Sequence, residues 1–427
     1  MKKKKYDIKQ VGKDFYTSLK KVAKMLDKEP YEITNSEFKV NDPLNINPWA
    51  LKEAGGFTNL KKMYFPPDKN IVTETAAKLV NQHRNKLERD LGKEVFLKEE
   101  IIKLLKESLK KNPIKFHKVV KKAKKKKKKK RAIVAQFSDS HFGCDVSETE
   151  VGKVNSWNWE IAARRLALYV EQIADYKPHY RKDTKLYFCI NGDILSGVIH
   201  KQEWFANLIT TQISGALRLL IQALTFLAQH FDEIEVVCTS GNHARMVHKK
   251  SVDRATVHKW DSYETILYVA LKEALASHLP NIKFNIPETP YAIFKILGHT
   301  YFQTHGDTVI NTGNPGNSIN MKAISGQING INASLMGDDH ADAVLVGHMH
   351  TPTIQLLDSG CYFVMNGCLI GSEPFAQSIG IFGNNPTQVM FETTEEHAIG
   401  DMRYVKVSVA DKQKRLDKII EPFKGKY

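Results

Sequence analysis

The sequence predicts an α/β protein of two packed sheets flanked by helices, preceded by a small, basic, helical domain. Three observations lead there. From residue 132, apolar strand-like runs alternate with amphipathic helices as far as about 290, and a series of short strands follows. Clusters of Asp, Asn, His and Gly stand at the ends of five of those strands. The charge is also one-sided. The 427 residues carry a net +16, yet residues 1–131 hold 37 Lys and Arg against 16 Asp and Glu, net +21, and the remainder holds 26 against 31, net −5.

Residues 1–120 read as short helices. Phe15 to Leu26 places Leu19, Val22, Met25 and Leu26 close to helical spacing and is ended by Pro30. Thr34 or Ser36 can cap a second helix. Pro48 to Gly56 forms a third, closed by Gly55-Gly56, and periodic stretches at 72–91 and 97–111 are separated by Gly92. Short basic helices with one Trp fit a DNA-binding helix-turn-helix type module; a helical packing or oligomerisation domain fits the same pattern. Residues 121–131, nearly all lysine, form an exposed linker. So concentrated a positive charge points to a polyanion partner, most simply nucleic acid, with sequence-independent phosphate contacts. A solvated tail is the alternative.

Five cysteines, at 144, 189, 238, 361 and 368, form no CxxC pair, which argues against disulfides and zinc ribbons. MKKKKYDIK is followed by no apolar signal segment, and no apolar stretch approaches the roughly 20 residues that span a bilayer. A cytoplasmic protein without membrane contact is expected.

Residues 132–427 are expected to be the catalytic domain. Ile133 to Phe137 reads as a buried strand ending at Asp139-Ser-His141. Helices are expected over 157–176, 208–231 and 262–279, and strands over 186–190 and 234–238. Further short strands follow at 292–296, 301–304, 343–346, 353–356, 361–365 and 402–408. The Gly/Asn-rich stretch Thr308 to Asp339 reads as an active-site insertion or lid. Strand ends deliver Asp139 and His141, Asn191-Gly-Asp193, Gly241-Asn242-His243, His305-Gly-Asp307 and Gly347-His348-Met-His350. Hard oxygen and imidazole donors without thiolate suit Mn, Fe, Zn or Mg-like ions.

This motif series, over residues 132 to about 395, resembles the calcineurin-like metallophosphoesterases. Asn191 to His200, Gly241 to Arg245 and Asn366-Gly-Cys-Leu-Ile-Gly371 look like phage-encoded members, distantly similar to the nuclease subunit of double-strand-break repair complexes. The Trp49 to Gly55 segment is similar to small helical repeats beside phage and homing-type nucleases. The resemblance implies a four-layer α/β/β/α sandwich and two divalent ions, Mn²⁺ foremost. Asp139, His141 and His350 would hold the first ion, Asn242, His305 and His348 the second, and Asp193 would bridge them. It gives His243 to the scissile phosphate as the catalytic residue. Arg245 and His200 are further candidates for substrate contact. Two departures stand out: Ala244 where relatives often carry an acidic residue that orients the histidine, and Ser196 where many have Asp or His. Protein phosphatases of the family need GNHE, which is absent. The implied activity is a phosphodiesterase or nuclease acting on DNA. A phosphomonoesterase or protein phosphatase, and a nucleic-acid-binding protein with a degenerate site, are the alternatives.

Overall fold

The computed structural model describes residues 7–30, 32–65, 99–107, 130–176, 184–198, 207–246, 258–313, 319–335, 340–378 and 385–425. The chain forms two compact units that divide between Leu97 and Lys98.

The first unit holds the helices Ile8–Met25, Asn35–Asn41, Pro48–Glu53 and Gly56–Tyr64. Asp7 caps the first by accepting from the backbone N–H groups of Lys9 and Gln10. Thr34 and Glu37 cap the second reciprocally. Gly55 takes a φ of 109° between the third and fourth, where a side chain would be strained. Phe15, Leu19, Phe38, Phe57 and Leu60 form its core. Lys9, Lys13, Lys20 and Lys24 lie on the exposed side of the first helix. The helix expected over 72–91 and the lysine run lie outside the described residues, except Lys130.

Residues 99–107 are helical, and their Ile101 and Leu105 belong to the core of the second unit. The compact division therefore precedes the expected boundary at residue 120, which is itself outside the described residues.

The second unit is built on two sheets. In the first, β1 (Arg131–Phe137), β2 (Lys185–Ile190), β3 (Ile234–Cys238) and β4 (Ile282–Asn285) run parallel. Next to β1, β10 (Thr387–Thr394) and then β11 (Met402–Lys406) extend it antiparallel. The second sheet has the order β5-β6-β7-β9-β8. Its strands are β5 (Tyr291–Ile296), β6 (His299–Thr304), β7 (Ala343–Val346), β8 (Thr353–Leu356) and β9 (Tyr362–Met365). There β6, β7 and β9 are parallel, and β5 and β8 are antiparallel edges.

The period-2 alternation of the strands separates the layers. Ile133, Ala135 and Phe137 of β1 face the helices Trp159–Asp175, Ile209–Ala228 and Tyr263–Ala276, whereas Ala132 and Val134 face the second sheet with Phe294, Tyr301 and Leu345. On the far side of the second sheet lies the helix Met321–Leu335, whose Ile324, Ile328 and Ile331 pack with Phe302, Val344 and Phe363. Helices, sheet, sheet and helix make the four-layer α/β/β/α sandwich.

Three expectations are corrected. Residues 321–335 are the fourth layer rather than a lid: three isoleucines at helical spacing bury one face, and the Gly, Asn and Ser that suggested a loop lie largely on the other. Strands β4 and β10 are additional. β10 is buried although it carries Gln388 and Thr393, because those polar side chains are hydrogen-bonded inside the fold. Finally, Ile209–Ala228 does have the length and apolarity of a membrane span. It is largely buried against the first sheet and its neighbouring helices, which explains its composition.

Candidate metal centre

The donors converge from the C-terminal ends of the parallel strands β1, β2, β3, β6 and β7, where consecutive turns of the two sheets meet. Asp139, His141 and His350 form one group whose donor atoms lie within 4.8 Å of one another; Asp193, His305 and His348 form a second. A third grouping, His141 with Asp193 and His243, joins the two and puts Asp193 between them. Asn242 completes the second group, its Oδ1 3.2 Å from His305 Nε2.

The backbone is bent to aim these side chains. Asp139, His141, Asp193, His348 and His350 all have φ between 45° and 75°, five of the nine non-glycine residues with positive φ among the described residues. A left-handed conformation costs a side-chain-bearing residue of order 1–3 kcal/mol and persists only where its surroundings impose it. The imposing contacts are specific. His348 N–H donates to both oxygens of Asp139, at 3.1 and 3.2 Å. Asp193 Oδ1 accepts from the N–H groups of Asn242 (2.8 Å) and His243 (2.9 Å). His305 Nδ1 donates to Asn191 O at 2.7 Å, which turns Nε2 toward Asp193 Oδ2, 2.9 Å away.

Around this lies a second set of contacts, in which Glu264, Arg165 and Lys259 are residues that sequence reasoning missed. Glu264, fully buried, accepts from Ile194 N (2.5 Å) and Gly241 N (2.7 Å). Ser138 Oγ bonds to Asp139 and accepts from Asn366 Nδ2 at 2.9 Å. Leu369 N donates to Asp139 O (2.9 Å), and the buried Arg165 holds Leu369 O and Ile370 O at 2.9 and 2.6 Å while paired with Asp411. The segment Asn366 to Gly371 thus braces the β1 turn. Lys259, also buried, pairs with Asp307 two residues past His305. Asn366 to Gly371 and Asp307 stand in the sequence motifs, but Glu264, Arg165 and Lys259 carry no local motif; Glu264 is legible only as an acidic residue after Ser262 at a helix start.

His243 has the orienting partner that Ala244 does not supply. Its Nδ1 donates to Ser196 O at 3.3 Å, leaving Nε2 3.9 Å from Asp193 Oδ2. Gly197 follows with φ 83°, and a Cβ there would fall 2.0 Å from His243 O. Arg245 is half-buried, its backbone bridged to Ser262. His200 lies outside the described residues.

Without ions the charges are unevenly settled. Burial would raise the Asp193 carboxyl, but the His305 and His243 imidazoles outweigh it and hold it well below the usual range. Burial likewise would lower His305, yet Asp193 takes it up to about 9. His350 is raised well above its ordinary value, against burial, by Cys368 and Asp139. His141 is lowered by burial and by His243 and His350, and His348 falls to about 4 through burial and His305. Glu264 rises to about 7 through burial beside Asp193.

The donor set fits divalent ions. Ligands about 2.0–2.2 Å from one ion stand roughly 3.0–3.5 Å apart. His141 Nε2 and His350 Nε2 are 3.3 Å apart, and His350 Nε2 is 3.5 Å from Asp139 Oδ1. Two ring nitrogens facing each other with a carboxylate between is an arrangement a shared cation satisfies.

The fold and site together define a two-sheet α/β sandwich with paired carboxylate–imidazole centres at its strand ends. No family model and no curated protein matches the chain. Among solved structures it is similar to a predicted phosphoesterase from Streptococcus pneumoniae, at 12% identity over 64% of this chain and 97% of that one, TM-score 0.26. Others are a 5'-nucleotidase from Candida albicans (10%, 70% and 56%, TM-score 0.31) and a dimetal phosphatase from Danio rerio (10%, 65% and 99%, TM-score 0.30).

Proposed function

We propose that the chain is a calcineurin-like metallophosphoesterase, a dinuclear metal-dependent phosphodiesterase that acts on DNA. The observation that carries this reading is the pair of three-donor groups joined through Asp193. Asp139, His141 and His350 would hold one ion, Asn242, His305 and His348 the other, and Asp193 would serve both. When bound, such a pair of ions, with Mn²⁺ the first choice and Fe, Zn or Mg the others, supplies Lewis-acid charge stabilisation and a water nucleophile at neutral pH.

The protein's own groups do the rest. The carboxylates of Asp139 and Asp193, fixed by backbone N–H groups, set the donor geometry before substrate arrives. His243, its Nδ1–H held by Ser196 O, presents Nε2 to the site, where a protonated imidazole can give its proton to the leaving alkoxide. DNA as substrate is supported by the net +21 of residues 1–131, where the first unit's lysines and the lysine run provide phosphate contacts. Digestion of linear and circular, single- and double-stranded DNA with Mn²⁺, alongside bis-p-nitrophenyl phosphate and its monoester, tests the reading. Preference for the diester and cleavage of DNA are expected; preference for the monoester with intact DNA would replace it with a phosphomonoesterase.

A further inference from the structure

Helix Tyr263–Ala276 lies behind the site and contributes no proposed ligand, yet it buries a carboxylate under two of the ligand-bearing turns. Ser262 caps the helix by accepting from the N–H groups of Glu264 and Thr265, and this aims the Glu264 side chain inward from the first turn. Its two oxygens divide their work. Oε1 accepts from Ile194 N at 2.5 Å and Leu195 N at 3.4 Å, just past Asp193. Oε2 accepts from Gly241 N at 2.7 Å, just before Asn242. The same two turns are in direct contact, since a Cβ on Gly192 would lie 2.3 Å from Gly241 N. Asp193 in turn accepts from Asn242 N and His243 N.

We propose that Glu264 is a positioning residue for the metal pair: its carboxylate locks the Asp193 turn to the Asn242-His243 turn and so fixes the spacing between the shared ligand and the second group. The inference rests on the metal reading of the site. A neutral residue of the same shape cannot replace it. An amide offers one acceptor oxygen, and its nitrogen would face a backbone N–H, donor against donor. An aspartate keeps the charge but is one methylene shorter, and cannot reach both turns from the same helix position.

Outer partners of metal ligands, when removed, typically cost 10–100-fold in metal affinity or activity. Glu264→Gln should therefore bind Mn²⁺ about 10–100-fold more weakly, with its helical circular dichroism retained. Saturating Mn²⁺ should recover most of the diester turnover. Exchange of the Ile194 and Gly241 amide hydrogens, measured without metal, should be faster than in the unaltered protein. Glu264→Asp should show the same losses, and covers the case in which the amide variant does not fold. Unchanged Mn²⁺ affinity, or unchanged exchange at both amides, overturns the proposal. So does a loss of binding sites that only tracks the unfolded fraction, with the folded remainder binding at full affinity. If the unaltered protein itself binds no Mn²⁺, the metal reading falls, while the amide exchange still judges the Glu264 clamp.

Discussion

Gly241→Ala separates a torsional role for that glycine from a packing role. Its φ is not in the left-handed region, so alanine meets no backbone penalty there. The added Cβ, however, would fall 2.0 Å from Asp193 Oδ1 and 2.3 Å from Asp193 N. Ordinary contact needs about 3.4 Å or more, so the carboxylate must retreat by more than about 1 Å. That breaks its hydrogen bonds from Asn242 N and His243 N, at 2.8 and 2.9 Å. Bonds to a charged acceptor contribute about 1.5–3 kcal/mol each, which puts the loss at roughly 3–6 kcal/mol. The retreat also draws Asp193 away from both donor groups. Urea denaturation should give that loss, and elemental analysis should find fewer ions per chain. Gly330→Ala is the control, on the exposed face of helix Met321–Leu335 with open space around its Cβ. It should stabilise by about 0.5–1 kcal/mol through helix propensity alone. Full stability and full metal content in Gly241→Ala would refute the packing argument.

Four further outcomes are expected. His243→Ala should keep its ions and slow DNA cleavage by about 10²–10⁴-fold, with a smaller loss on an activated aryl diester that scarcely needs a proton; loss of metal with activity would make His243 a ligand. Because His305 is raised to about 9 and His350 is raised also, both carry protons at neutral pH without metal, so calorimetry in buffers of different ionisation enthalpy should find protons released on Mn²⁺ binding. The same shift should make the metal-free protein lose stability as pH rises from about 6.5 through about 9, the sign for a histidine whose folded pKa is raised; a flat profile and no proton release would contradict the His305–Asp193 pairing. Replacing the seven lysines at 124–130 with glutamine should reduce the salt slope of DNA affinity by as much as about six, at about 0.9 per phosphate contact, with cleavage of a small diester unaltered; an unchanged slope would remove the linker from the DNA interface.

The sequence made the donors legible because each is tied to a local signal: an apolar strand followed by Asp, Asn or His, with glycine adjoining Asp193, Asn242, His305 and His348. Gly192, Gly241 and Gly347 are required by close approach to the opposite turn or carboxylate, and that need leaves a mark in the chain. Apart from the Asn366–Gly371 segment, what braces the donors left none. Glu264, Arg165 and the Ser196 carbonyl act from other elements, and backbone carbonyls have no residue identity to read. β10 was hidden because it sits between β1 and β11 with buried, satisfied polar side chains, so burial and apolarity part company. The helix Met321–Leu335 was hidden because Gly326, Gly330 and the asparagines outnumber the three isoleucines that hold it.

If Asp193 joins two ions, counting them is the most direct test. Metal-free protein titrated with Mn²⁺ should bind two ions per chain, with cleavage of bis-p-nitrophenyl phosphate appearing as the second is taken up and abolished by chelation. One ion or none at saturation, or cleavage that survives chelation, would contradict it.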